Sequence, residues 1–144
     1  MDKEQKNKLK NVVTIVIAIL AVGMVSGFFW RNTTKTETIS VRQYSAHIMK
    51  GFFWPGDAII FEWDVVGDYY VIVMLLDEES FKQQEEGREP TILDYENQGS
   101  GSGGYSVQEP GMYYLEIMSI QFFVEHVSVE ITCNNNFQFE GVVY

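Results

Sequence analysis

The chain has 144 residues and a formal net charge of −10 at pH 7, from 20 acidic and 10 basic side chains. A surplus of that sign repels phosphate backbones and argues against nucleic acid as a partner. Cys133 is the one cysteine, so no disulfide framework exists and any core must hold by packing.

The first ten residues carry Lys3, Lys6, Lys8 and Lys10 against Asp2 and Glu4 and read as a basic tail. Residues 11–30 then run without a charge, NVVTIVIAILAVGMVSGFFW. At about 1.5 Å per residue, ~20 helical residues span the ~30 Å core of a bilayer. A secretory signal also begins basic, and Ala21-Val22-Gly23 offers a small-x-small cleavage site. The apolar run is nevertheless longer than the roughly 7–15 residues a signal uses. It also closes on Phe28, Phe29 and Trp30, bulky aromatics that suit the lipid–water interface. An uncleaved single transmembrane helix is therefore expected, with a cleaved signal as the competing reading. The lysines place the N-terminus in the cytoplasm and the rest outside the plasma membrane. Gly23 and Gly27 form a Gly-x-x-x-Gly pair, which lets two helix backbones approach closely. Chance occurrence in an apolar run is the bland alternative.

Residues 31–36 form a short linker, and residues 37–144 suffice for one domain. Residues 31–144 hold 18 acids and 6 bases. Asn32-Thr33-Thr34 matches the glycosylation triplet but abuts the expected membrane surface. A first strand is expected over Glu37–Tyr44. Gly51-Phe52-Phe53-Trp54 repeats the tetrapeptide Gly27-Phe28-Phe29-Trp30. Phe52, Phe53 and Trp54 either return to the membrane interface, dock a neighbouring subunit, or line the core in a turn before Pro55-Gly56.

In Ala58–Val65, Ile59, Phe61, Trp63 and Val65 alternate with Glu62 and Asp64, the pattern of a strand with one buried face. Gly67-Asp68 offers a tight turn into Tyr69–Leu76, an apolar run that suits a central strand. Asp77-Glu78-Glu79-Ser80-Phe81 has the acidic first turn of a helix, with Gly87 as its stop. Thr91–Tyr95 is a short strand candidate. Gly99-Ser100-Gly101-Ser102-Gly103-Gly104 reads as an exposed flexible loop, since it offers no packing face. Tyr105–Gln108, Met112–Ile120, the alternating 127–133 and Phe137–Val143 complete the series. Seven to eight short strands give an all-β antiparallel β-sandwich of jelly-roll or Ig-like kind, behind one transmembrane helix.

The series Gly56-Asp57, Phe61-Glu62-Trp63, Leu76 to Phe81, Tyr105-Ser106-Val107 and Pro110-Gly111-Met112-Tyr113-Tyr114-Leu115 resembles the small β-sandwich of emp24/GOLD-like domains of membrane-tethered archaeal and bacterial type. The resemblance spans residues 38–133 and implies the fold. The lumenal cargo receptors of that family carry a C-terminal anchor, a coiled-coil stem and a disulfide, which this chain lacks, so trafficking is not implied.

Chemistry-bearing groups are sparse. His47 and His126 have no partner at zinc-ligand spacing and read as ordinary sheet histidines. Cys133 reads as a small core side chain. Eight acids between Asp77 and Glu96 lack an Asp-x-Asp-x-Asp pattern and read as a solvated face rather than a calcium site. No catalytic, cofactor or metal residue is assigned, and an enzyme is the least expected class. The expected function is a non-catalytic accessory subunit of a larger membrane complex, with lipid and other integral membrane subunits as partners. The alternative is an envelope-anchored binding or scaffold module for a surface-layer, filament or glycan partner.

Overall fold

The computed structural model describes residues 2–121 and 124–143, with the side chains of 23–32 and 95–97 outside that description. Helix α1 runs from Lys3 to Asn32. Its start is fixed by a reciprocal cap: Gln5 N–H donates to Asp2 Oδ1 at 2.8 Å and Asp2 N–H to Gln5 Oε1 at 3.3 Å. Every described side chain of α1, up to Val22, is exposed. At about 100° per residue, Val12, Val13, Ile15, Val16, Ile17, Ile19 and Leu20 spread over an arc of roughly 200°, and Thr14, Ala18 and Ala21 take the remaining side. None of these side chains is covered by another part of the chain among the described residues. Among the described residues no helix is long and apolar enough to cross a membrane; residues 23–30 of the charge-free run lie in the segment whose side chains are outside the description.

Nine strands follow among the described residues: β1 (Thr34–Arg42), β2 (Ser45–Phe53), β3 (Ala58–Val65), β4 (Val71–Asp77), β5 (Asp94–Gln98), β6 (Ser100–Ser106), β7 (Gly111–Ser119), β8 (His126–Asn134) and β9 (Gln138–Val143). They form an antiparallel sandwich with sheet orders β1-β8-β3-β6 and β5-β4-β7-β2-β9. The first eight strands have jelly-roll order, and β9 extends one edge. The core lies between the sheets. Ile59, Phe61, Trp63 and Val65 of β3 and Val127, Val129, Ile131 and Cys133 of β8 face Met49, Phe53, Val73, Leu75, Leu115 and Ile117.

A second, smaller cluster lies outside the five-stranded sheet. Helix α2 (Glu78–Glu85) starts where Asp77 Oδ1 accepts the Ser80 N–H at 2.8 Å. It covers Ala46, Ile48 and Leu76, and Phe81 lies flat on Tyr114 with ring centroids 3.9 Å apart. This helix is why β4 is apolar on both faces and why Tyr114 and Met118 of β7 are half-covered on the outer one.

Two expectations are corrected. The Gly/Ser run is strand β6, paired with β3 from Ala58↔Ser106 to Asp64↔Ser100. Its glycines are required because the aromatic rings of β3 lie over them. A Cβ at Gly101 would stand 2.7 Å from Trp63 Cζ2, and one at Gly103 would overlap Phe61. The second correction is β2, which contains Gly51, Phe52 and Phe53. Both its faces are largely covered, so it shows no period-two alternation.

Candidate functional site

Three consecutive asparagines follow the last core residue of β8 and organise one end of the sandwich. Asn134 is buried; its Oδ1 accepts the Ile60 N–H at 2.7 Å and its Nδ2 donates to Ala58 O at 3.0 Å, completing the edge of β3. Asn135 ties down the exit of α1: its N–H donates to Thr33 O at 3.0 Å and its side-chain amide to Thr33 Oγ1. Asn136 Nδ2 donates to Phe52 O at 2.8 Å. Gly51 permits that approach, since a Cβ there would stand 2.9 Å from the Asn136 carbonyl oxygen.

This turn therefore brings the end of α1 to the second aromatic tetrapeptide. Phe52 and Trp54 are 43% and 50% exposed and meet edge to face at 5.1 Å. The turn that follows is rigid: Asp57 N–H donates to Trp54 O at 3.0 Å, Trp54 N–H donates to Asp57 Oδ2 at 2.9 Å, and Gly56 takes φ +90° after Pro55. Phe53 is corrected. It is fully buried between Tyr113 and Phe137, because alternation on β2 turns it inward, and it presents no docking surface. Gly23, Gly27, Phe28, Phe29 and Trp30 fall on α1 where side chains lie outside the description. Sequence reasoning missed the asparagines, although a polar run of turn formers between two strand patterns was their signal.

His47 and His126, far apart in sequence, line one cavity of about 440 Å³ with Ser40, Arg42, Ser45 and Glu125. The His47 ring packs on Phe139 at 4.8 Å. Burial holds its pKa below the ordinary 6.5, with Glu37 opposing the shift. The His126 ring is exposed; its Nδ1 lies 3.4 Å from Ser40 Oγ and its Nε2 4.0 Å from Glu125. Both separations are longer than the ~2.6–3.2 Å of an activated hydroxyl–imidazole pair. Burial pushes the Cys133 thiol up to about 11, where it stays protonated at neutral pH. Of the acids in 77–96, Asp77 caps α2, Glu78 pairs with Lys82 at 3.6 Å, Glu86 with Arg88, and Asp94 accepts the Gly104 N–H at 3.0 Å. Among the described residues no cluster of three His, Cys, Asp or Glu side chains could hold a metal ion.

No protein-family model matches this chain, and no curated protein matches it in sequence. Among solved structures it is similar to the Yersinia pseudotuberculosis-derived mitogen, with a TM-score of 0.57 and 10% identity over 78% of this chain and 99% of the mitogen. It also aligns with procruciferin, the 11S globulin of Brassica napus, with a TM-score of 0.37 and 15% identity over 77% of this chain and 22% of that one. The likeness to the mitogen is one of fold alone.

Proposed function

We propose that this chain is a non-catalytic, single-pass membrane protein, an accessory subunit of a larger membrane complex with its sandwich on the outer face of the plasma membrane. The observation that carries the reading is α1: it contains a run of twenty residues without charge, and its described apolar side chains are exposed, with no cover from the rest of the chain among the described residues. Lipid and the helices of other subunits supply the missing cover, and Gly23 and Gly27 offer the seam for those helices. The bond from Asn135 to Thr33 and the bond from Asn136 to Phe52 set the exposed pair Phe52 and Trp54 beside the helix exit. Aromatic rings at that height favour the headgroup layer.

Two measurements test the two parts of this reading. Extraction of native membranes at alkaline pH leaves the protein in the pellet if α1 spans, and release into the supernatant would refute anchoring. Sizing after mild detergent yields a particle with co-purifying membrane subunits. A clean monomer would refute the accessory role, and assembly unchanged by Gly23→Leu and Gly27→Leu would refute the glycine seam.

The runner-up is an envelope-anchored binding or scaffold module for a surface-layer, filament or glycan partner. It draws on the cavity that unites His47, His126 and Arg42. It predicts partner capture by full-length protein that is lost on substituting the cavity residues and is indifferent to the glycines of α1.

A further inference from the structure

Glu116 stands where an apolar residue belongs. It lies in the middle of β7, on the outer face of the five-stranded sheet, opposite Ile48 of β2 on one side and Met74 of β4 on the other. Its residue is 2% exposed, and Gln84 Nε2 at 3.1 Å is its sole hydrogen-bond partner among the described residues. A carboxylate in that setting is costly unless paired, and one neutral amide donor compensates little of the loss of water. Burial correspondingly shifts its carboxyl above the ordinary range.

The carboxylate lines a groove of about 280 Å³ between α2 and the β2–β9 edge. Ala46, Ile48, Phe81, Met118 and Val143 supply apolar walls. Tyr44 forms part of the rim and is independently unusual: it is the one described non-glycine residue with positive φ, +57°. A bulky side chain adopts that conformation at a cost and needs a reason to be there. Its backbone is held by donation to Ser119 O at 2.7 Å. An acceptor-only carboxylate, apolar walls and two aromatic rings select a cation carried on a hydrocarbon stem. The volume sits at the lower end of small-ligand pockets, ~300 Å³.

We propose that this groove binds a small protonated alkylamine, with Glu116 as its counter-ion and Tyr44 and Phe81 against its stem. The site is independent of α1 and stands or falls apart from the membrane reading.

The test uses full-length protein in mild detergent at pH 8, titrated with butylammonium chloride, butanol, butyrate and ammonium chloride, and followed by two-dimensional amide NMR. Saturable butylammonium shifts are expected at residues 44–48 and 116–118, with butanol, butyrate and ammonium at least tenfold weaker. Glu116→Gln keeps the shape and the ability to bond Gln84 and should weaken butylammonium at least tenfold, with little change in its binding of butanol. Tyr44→Gly suits the left-handed backbone, so it keeps the fold while removing the ring, and should weaken binding several-fold. Absence of saturable butylammonium shifts, equal binding of butanol and butylammonium, or unchanged affinity in a folded Glu116→Gln or Tyr44→Gly protein would overturn the proposal.

Discussion

The indole of Trp63 lies across Gly101: a Cβ at that glycine would sit 2.7 Å from Cζ2, so the ring occupies the space of a side chain on the neighbouring strand. Trp63 Nε1–H also donates to Gln98 O at 3.2 Å, which fixes the ring over the paired backbone. Gly101→Val must displace a core indole. It should lower stability by about 1–3 kcal/mol, the ordinary cost of overpacking. Ser102→Val, on the exposed face of the same strand, should change stability by no more than ~0.5 kcal/mol. Urea midpoints measure both, and equal effects at the two positions would refute the assignment of Gly101 as a seat for Trp63.

The same pair of residues explains what was legible in the sequence. Strand β3 announced itself through strict alternation, and its observed bounds are those expected from Ile59, Phe61, Trp63 and Val65. Its partner β6 carries no alternation of its own, because the side chains that pack over it belong to β3. Strand β2 was hidden for a different reason, since α2 buries its outer face and erases the polar half of the period. The helix start at Asp77 was readable because capping is local chemistry. The groove at Glu116 was not readable, because Tyr44, Phe81 and Glu116 meet only through the register of three strands and a helix.

Asn134 acts as a side-chain extension of the β3 ladder, satisfying the N–H of Ile60 and the carbonyl of Ala58 inside the domain. Asn134→Ala strands both backbone groups. A loss of about 1–3 kcal/mol is expected, the cost of leaving buried polar groups unpaired. Asn136→Ala, which removes only the bond to the Phe52 carbonyl, should cost less. Equilibrium denaturation with coincident fluorescence and circular dichroism gives the comparison, and a reversed order would contradict the roles assigned.

Phe52 and Trp54 serve no described core contact, and their removal should spare the fold. Phe52→Ser and Trp54→Ser should shift stability by about 0.5 kcal/mol or less. In bilayers containing brominated lipid, Trp54 fluorescence should be quenched if the aromatic pair lies at headgroup depth beside the α1 exit. The measurement is the difference in quenching between the native protein and Trp54→Phe. No difference would place this end of the sandwich away from the bilayer.

Cys133 sits in the core with its thiol pushed up to about 11 by burial. Labelling at pH 8 should proceed only through opening of the domain, so its rate should fall in step with the stability measured by denaturant. Thiol-reactive dye added to the native protein and to Gly101→Val reads this directly. The destabilised variant should label faster by the factor its loss of stability implies, while fast labelling of both would contradict the burial.

His47 and Glu116 give pH dependences of opposite sign. The folded pKa of His47 is lowered by burial, so the folded state binds fewer protons than the unfolded one. Its contribution is complete above the ordinary 6.5 and is lost as pH falls through the lower folded value. Burial raises the folded pKa of Glu116, so that group favours folding at acid pH and loses its contribution as pH rises from 4.5 to the raised value. The Glu116 slope sets in at 4.5 and the His47 slope ends at 6.5, and the two have opposite signs. Relative to the native protein, Glu116→Gln should therefore gain stability as pH rises from 4.5, because the group that loses its contribution there is gone. His47→Gln should lose stability relative to the native protein as pH rises toward 6.5. Denaturation midpoints at half-unit pH steps decide it: parallel profiles for the native protein and both variants would mean that neither group changes its proton affinity on folding.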